Sequence, residues 1–382
     1  MRRHSTLPYL LLSGTAMFWA CGKKELPVLT VGVIAELSGE IPAVGASCKN
    51  AAEMAVAELN GAGGVKVAGK EHQLRVIMED SKGAAGEAVE AAKRLVKEDK
   101  VLAIVGPNAS LGAVPVSQVA EDAKVPMISP WSTNPKTTAG KRWVFRACFT
   151  DAFEGHVLAK FATGYVRATK AAVLYDPGSE APKSQAELFR KDFEEAGGKV
   201  VAFETYKTGD KEFAAQLGRI KAASPDLIFL PSYYNEVPLQ LQQAHKLGIN
   251  VPFLGSDNWS SPELVKLSGS DAEGATFCNH YAPEARVDAV AKFVTQYKNQ
   301  YGQTPDDVAA LTYDSFKLLA KAMSGAARPD REAIRDALSK IREFEGVTGK
   351  MTFKEGSGDP VKSAVMMKVE GGKPTFITNI DP

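Results

Sequence analysis

Short apolar runs alternate with helix-patterned stretches along most of this chain, and that order is what most restricts the fold open to it. Residues 29–34 read as a strand, followed by a loop through Ser38, Gly39 and Gly45 and a helical pattern over 48–59. Asn60-Gly61-Ala62-Gly63-Gly64 stops that helix. A strand at 74–79, a helix at 84–97 and a strand at 102–105 continue the order. It resumes with strands at 171–175, 199–206, 227–230 and 251–254, separated by helices at 184–196, 213–222 and 238–247. Strand and helix in strict turn predict an α/β fold of parallel sheets with helices on both faces. A chain of 382 residues exceeds one comfortable core, since cores split beyond about 250–300 residues, so two lobes are expected. The joint falls near Val144-Phe145-Arg146, with a return crossing near 277–281. No low-complexity run separates the halves, so the lobes are closely linked.

The N-terminus reads as a secretory leader. Arg2, Arg3 and His4 precede an apolar stretch over 7–20 that is too short to remain as a membrane span. Ala20-Cys21-Gly22 supplies a small residue and a cysteine where cleavage is expected, so residues 1–20 are a signal peptide and Cys21 is a candidate lipid site. The other reading is ordinary secretion with a plain thiol. The formal net charge of +1 counts Arg2 and Arg3, so cleavage leaves a mature chain at −1. Such a balance gives no reason to expect nucleic acid or an anionic membrane surface as partner. Of the remaining cysteines, Cys48, Cys148 and Cys278 cannot all pair within one chain, and buried thiols are the default.

Two strand ends carry the chemistry. After the apolar run at 102–105 come Gly106-Pro107-Asn108-Ala109-Ser110, and Pro115 suits an early helical turn. Asn108 and Ser110 therefore lie where a strand hands over to a helix, and free N–H groups there favour an anion. A second run at 126–129 stops at Pro130-Trp131-Ser132-Thr133-Asn134-Pro135. Singly, Ser110, Ser132 and Thr133 read as helix caps. At the ends of adjacent strands they read better as one edge of a ligand site. Asp257 follows another strand in Gly255-Ser256-Asp257, where it is either a turn former or the acceptor that an ammonium group needs. Tyr233 and Tyr234 end the strand at 227–230 and offer aromatic faces with polar tips. Hydroxyls on one side and an acid with aromatics on the other suit a small zwitterion, which is the shape of an amino acid.

Catalytic and cofactor motifs are missing. Gly61-Ala62-Gly63-Gly64 follows a helix and has Lys66 where a dinucleotide fingerprint needs its third glycine. There is no phosphate-binding loop, no nucleophile elbow and no zinc-protease motif. His72, His156, His245 and His280 lack metal spacing and read as surface or satisfied core residues. No cofactor, metal or catalytic residue is expected, and an envelope hydrolase is disfavoured.

The mature chain resembles the branched-chain amino-acid (Leu/Ile/Val) family of type I periplasmic solute-binding proteins of ABC transporters. The ordered landmarks are Leu37-Ser38-Gly39, Glu58-Leu59-Asn60, Ile104-Val105-Gly106-Pro107, Ile128-Ser129-Pro130 through Thr133-Asn134-Pro135, Phe145-Arg146, Pro225-Asp226, Tyr233-Tyr234, Gly255-Ser256-Asp257, Tyr313-Asp314 and Gly346-Val347-Thr348-Gly349. The resemblance implies two doubly wound parallel-sheet lobes on a multi-crossing hinge. Lobe 1 takes 28–146 plus about 280–345, and lobe 2 takes 147–279 plus about 346–382. It implies that Ser110 and Thr133 hold the ligand α-carboxylate, that Trp131 and Ser132 line the same edge, that Asp257 takes the ammonium and that Tyr233 closes over it. Asn108 and Tyr234 are weaker members. Two departures bear on the side-chain pocket: Ala181-Pro182 and Val44 stand where the family often has aromatics, and Trp131 is gained. The expected partners are a free amino acid and a membrane ABC permease, with the membrane touched only through a lipid anchor and the chain acting as a monomer in the bacterial cell envelope. Sensing rather than transport is an alternative output, and another small amide or carboxylate solute an alternative ligand. A gene regulator of the same fold is disfavoured by a leader where a DNA-binding segment would stand.

Overall fold

The computed structural model describes Met1 and residues 26–382, so the leader and Cys21 lie outside the described residues. The first sheet takes β1 (Val28–Ala35), β2 (Val65–Val67), β3 (Lys70–Asp80), β4 (Ala103–Val105), β5 (Met127–Ser129) and β6 (Val144–Arg146), in the spatial order β2-β3-β1-β4-β5-β6. The later strands are β7 (Lys170–Tyr175), β8 (Lys199–Thr205), β9 (Leu227–Leu230), β10 (Phe253–Gly255) and β11 (Thr276–Asn279). A ribbon of β12 (Glu343–Gly346), β13 (Gly349–Phe353) and β14 (Pro360–Val361) follows, then a hairpin of β15 (Ala364–Glu370) and β16 (Lys373–Ile380). The second sheet has the order β16-β15-β11-β10-β9-β7-β8.

β1 is apolar almost throughout because it is a central strand, paired in parallel with β3 on one edge and β4 on the other. Its side chains alternate between two cores. Val31, Val33 and Ala35 join one cluster, and Ile34 joins the other with Ile104.

Helices cover both sheets. They are α1 (Pro42–Gly61), α2 (Ala85–Lys97), α3 (Ser110–Asp122), α4 (Asp151–Phe161), α5 (Glu180–Glu195), α6 (Ala214–Ala222), α7 (Val237–Lys246), α8 (Pro262–Ser268), α9 (Asp288–Tyr301), α10 (Asp307–Gly325) and α11 (Arg331–Lys340). In α1, Val44, Cys48, Ala51, Ala52 and Ala55 are buried at helical spacing. α10 packs along α1, which explains why it is buried on nearly every side. The chain leaves the first sheet after Arg146 and the second after Asn279, and it crosses again through the β12–β14 ribbon.

The two-lobed α/β architecture agrees with the alternation of the sequence, with three local differences. The sheets are mixed, since β2 pairs antiparallel with β3, and β15 pairs antiparallel with both β11 and β16. A three-residue strand carries too few positions for a pattern. α1 begins at Pro42, so Gly45 lies inside the helix rather than in a loop. A Cβ on Gly45 would stand 2.1 Å from the Glu36 carbonyl oxygen, so a close backbone approach accounts for this glycine. Pro115 sits inside α3 rather than in its first turn.

Gly61 ends α1, and Gly63 and Gly64 take φ of 103° and 90°, so this glycine run stops a helix. Cys48, Cys148 and Cys278 are free and buried, and burial pushes the Cys48 and Cys148 thiols up to about 12. Among the described residues, no helix is long and apolar enough to cross a membrane.

Asp314 of α10 clasps the ribbon. Its carboxylate accepts from the N–H groups of Val347 (2.8 Å) and Thr348 (2.9 Å) and from the Thr348 hydroxyl (2.6 Å). Gly346 makes room, since a Cβ there would lie 2.3 Å from an Asp314 oxygen. Asp314→Ala strands two buried N–H groups and is expected to cost about 1–3 kcal/mol in urea denaturation. A midpoint unmoved within error would show that water replaces the clasp.

Candidate functional site

The carboxyl ends of β4 and β5 form one wall of the cleft. Ser110 is the first residue of α3, and the residue before it, Ala109, makes no side-chain cap. The Ser110 hydroxyl instead meets that of Ser132 at 2.9 Å, and Ser132 meets Thr137 at 2.7 Å. Asn134 is the residue that caps the short turn at Pro135–Thr137. Capping therefore does not account for Ser110, Ser132 and Thr133, all three of which are buried.

Sequence reading missed two residues that shape this wall. Glu36, just past β1, accepts from the N–H groups of Asn108 (3.1 Å) and Ala109 (3.0 Å) and from the Asn108 side-chain amide (2.9 Å). The N–H donors of Asn108 and Ala109 are thus engaged by the protein's own carboxylate, and Asn108 is turned to Glu36. Arg146 is fully buried and donates to the carbonyls of Ser132 (2.6 Å) and Asn134 (2.9 Å) and to the Thr138 hydroxyl (2.7 Å). Its Nε pairs with Asp359 at 2.6 Å. Arg146 figured in the sequence only as a landmark, because nothing in its neighbours shows what its side chain reaches.

The opposite wall comes from the ends of β9 and β10. Asp257 is 1% exposed and accepts from Gln185 at 2.8 Å and His280 at 3.1 Å. Its own N–H donates to Glu154 at 2.8 Å. The Tyr233 ring stands 6.0 Å from that of Trp131 across the cleft. The Trp131 indole N–H donates to Asp307 of α10 at 3.0 Å, and Asp307 lies 4.0 Å from His280. A buried network thus links Trp131, Asp307, His280 and Asp257. His280 stacks on Phe149, which makes it a supporting residue of the site that its spacing could not reveal.

The walls also meet directly. Tyr234 accepts from the Ala43 N–H at 3.3 Å, Asn235 donates to the Glu40 carbonyl at 2.9 Å, and Lys136 pairs with Glu180 at 3.0 Å. Where they meet lies a cavity of about 120 Å³ lined by Glu36, Ala109 and Leu111 on one side and Ser179, Tyr233 and Glu236 on the other; of the site residues read from the sequence, only Tyr233 lines it.

Acid is in excess here. Asp151, the first residue of α4, is fully buried, and neither carboxylate oxygen has a well-placed hydrogen-bond partner. Desolvation pushes Asp151 and Asp257 up to about 7, and raises Glu154 and Asp307 well above the carboxylate range. Burial holds His280 well below its usual value, so it is neutral and adds no countercharge.

Two sheets facing each other across a cleft built from strand carboxyl ends define a binding protein that closes on its ligand. The sequence profile described as periplasmic binding protein matches residues 28–373, and the chain belongs to that family. A Leu/Ile/Val-binding protein homologue of Brucella melitensis is 29% identical over 347 residues, covering 90% of this chain and 92% of its own. The structure of a leucine-binding protein from Thermotoga maritima superposes with a TM-score of 0.87 at 34% identity, covering 93% of this chain and 99% of the other. That of a branched-chain amino-acid transporter substrate-binding protein from Streptococcus pneumoniae, in complex with isoleucine, gives 0.86 at 33%, covering 93% and 100%.

Raised carboxyl values have a defined effect on stability. Unfolded carboxyls titrate near 4, whereas Asp151 and Asp257 hold protons to about 7 in the fold. The folded state binds more protons across that window, so stability is greatest below it and falls as pH rises through it. The ligand-free protein is expected to lose ~1 kcal/mol or more between pH 5 and pH 8 in urea titrations, and Asp151→Asn to flatten that slope. An identical slope in the variant would remove Asp151 from the account.

Proposed function

We propose that this chain is the extracytoplasmic receptor of an ABC importer and captures a free amino acid, branched-chain or otherwise aliphatic, between two closing lobes. The observation that carries this reading is the makeup of the two walls: buried Ser110 and Thr133 belong to one, buried Asp257 to the other, and Tyr233 of the second stands 6.0 Å from Trp131 of the first. The names of the relatives point the same way, to leucine and isoleucine.

The ligand carboxylate meets the Ser110 and Thr133 hydroxyls together with the first free N–H groups of α3, where the helix dipole favours it. The ammonium lies against Asp257 and the Trp131 carbonyl. Its positive charge offsets part of the acid excess. Tyr233 covers the ligand from the second wall, while Ser132 supports Ser110 through their hydrogen bond. Asn108 and Tyr234 act at one remove, the first through Glu36 and the second through the Ala43 contact between the walls. Trp131, pinned by Asp307, walls off the side-chain space.

Lobe 1, of 28–146 plus about 280–345, closes on lobe 2, of 147–279 plus about 346–382, and a membrane permease recognises the closed form. The receptor works as a monomer with no cofactor. Residues 1–20 direct export, and a lipid on Cys21 holds the mature protein at the membrane.

Calorimetric titration of a panel of free amino acids is expected to give heat with leucine, isoleucine or valine, and silence across the aliphatic set removes the assignment. Asp257→Ala is expected to lose about 2–5 kcal/mol of binding, because an ammonium is left buried without its acid. A loss under about tenfold, near 1.4 kcal/mol, means that the amino group lies elsewhere.

A further inference from the structure

We propose that the end of lobe 1 away from the cleft carries a lipid-contacting face, a basic groove that seats on anionic phospholipid headgroups. The groove is lined by Lys97, Lys100, Lys124, Arg142, Arg331 and Arg335, against Asp330 and Glu332. Glu98 and Asp99 precede Lys100 in the chain but do not line it. Arg331 is fixed by hydrogen bonds to the carbonyls of Val101 (2.9 Å) and Val96 (3.2 Å), and Arg335 lies over the Trp143 ring at 5.0 Å. Lys97, Lys100, Lys124 and Arg142 are exposed, and none of the four belongs to an ion pair among the described residues. Their charge is open to an outside partner, although the chain as a whole is nearly neutral.

The register of the first sheet locates this face. Val31 pairs with Ala103, Ile104 with Met127 and Met127 with Val144, all in parallel, so Lys100, Lys124 and Arg142 stand within about two residues of the level of Val28. Val28 is where the chain enters the fold. The inference rests on the lipid at Cys21 proposed above: the seven residue steps from Cys21 to Val28 extend at most about 25 Å, which keeps the Val28 end of lobe 1 near the bilayer. The groove is then within reach of headgroups, where basic side chains are attracted over about a Debye length. Ser110 and Thr133 stand at the opposite ends of these strands, so a protein seated this way keeps its cleft open to solute.

The test uses the chain from residue 22 onward, which contains every element described and has no lipid of its own. It is floated with vesicles of phosphatidylcholine alone or with about a third phosphatidylglycerol. At low salt the expected result is at least about tenfold more protein on the anionic vesicles, with the difference abolished near 0.5 M salt. Lys100→Glu/Lys124→Glu/Arg142→Glu is expected to reduce binding to the phosphatidylcholine level while its amino-acid titration stays at the wild-type value, which shows that it is folded. Equal flotation with both vesicle types, or a charge-reversed variant that binds like the wild type, overturns the proposal. Retention on a sulfated resin without flotation also overturns it, in favour of a soluble polyanion. The mass of Cys21 in membrane-extracted protein tests the anchor separately, and the amino-acid titration tests the cleft.

Discussion

The buried guanidinium of Arg146 joins the loop that carries Trp131 to the ribbon of the last crossing. It closes the first sheet at the end of β6, where the chain departs for the second, and its N–H groups hold the carbonyls of Ser132 and Asn134. Through Asp359 it reaches the ribbon that makes the last crossing, and its own backbone N–H donates to the Gly358 carbonyl at 3.0 Å. The loop carrying Trp131, Ser132 and Thr133 therefore has its shape set by a residue outside it. A cation taken out of water is tolerated only when its hydrogen bonds are nearly all met, so the loop and the two crossings are held to one geometry together.

The second constraint is the surplus of buried acid beside the cleft. Asp151, Glu154, Asp257 and Asp307 all lie in the same low-dielectric region, where the nearby His280 stays neutral. Buried Arg146 and Lys362 offset part of this charge, and protons or a cationic ligand group offset more. The proposed function brings such a group in the ammonium of a zwitterion. Glu36 occupies the strand-end N–H groups of Asn108 and Ala109, so these donors are met within the protein.

Much of the fold was legible in the residues. Continuous apolar runs such as β1 and small-residue helical stripes such as Ala51, Ala52 and Ala55 in α1 depend on burial, and burial leaves a periodic trace. The antiparallel edges were not legible, because β2 is three residues long and the β15–β16 hairpin pairs with a strand about 90 residues earlier. The hydroxyl wall could be read because Ser110 and Ser132 sit beside strand ends. Their bond to each other could not, since 22 residues separate them in the chain.

By itself, the amino-acid order determined the α/β class, the two-lobed plan and the standing of Ser110, Ser132 and Asp257 just past strand ends, because periodicity and strand-end chemistry are local properties. Tertiary structure alone decided that Trp131 is pinned by Asp307, that Glu36 takes the donors beside Ser110, and that His280 belongs with Asp257. Each of these is a contact between residues 23 to 176 positions apart, fixed by how sheets and helices pack rather than by any neighbour in sequence.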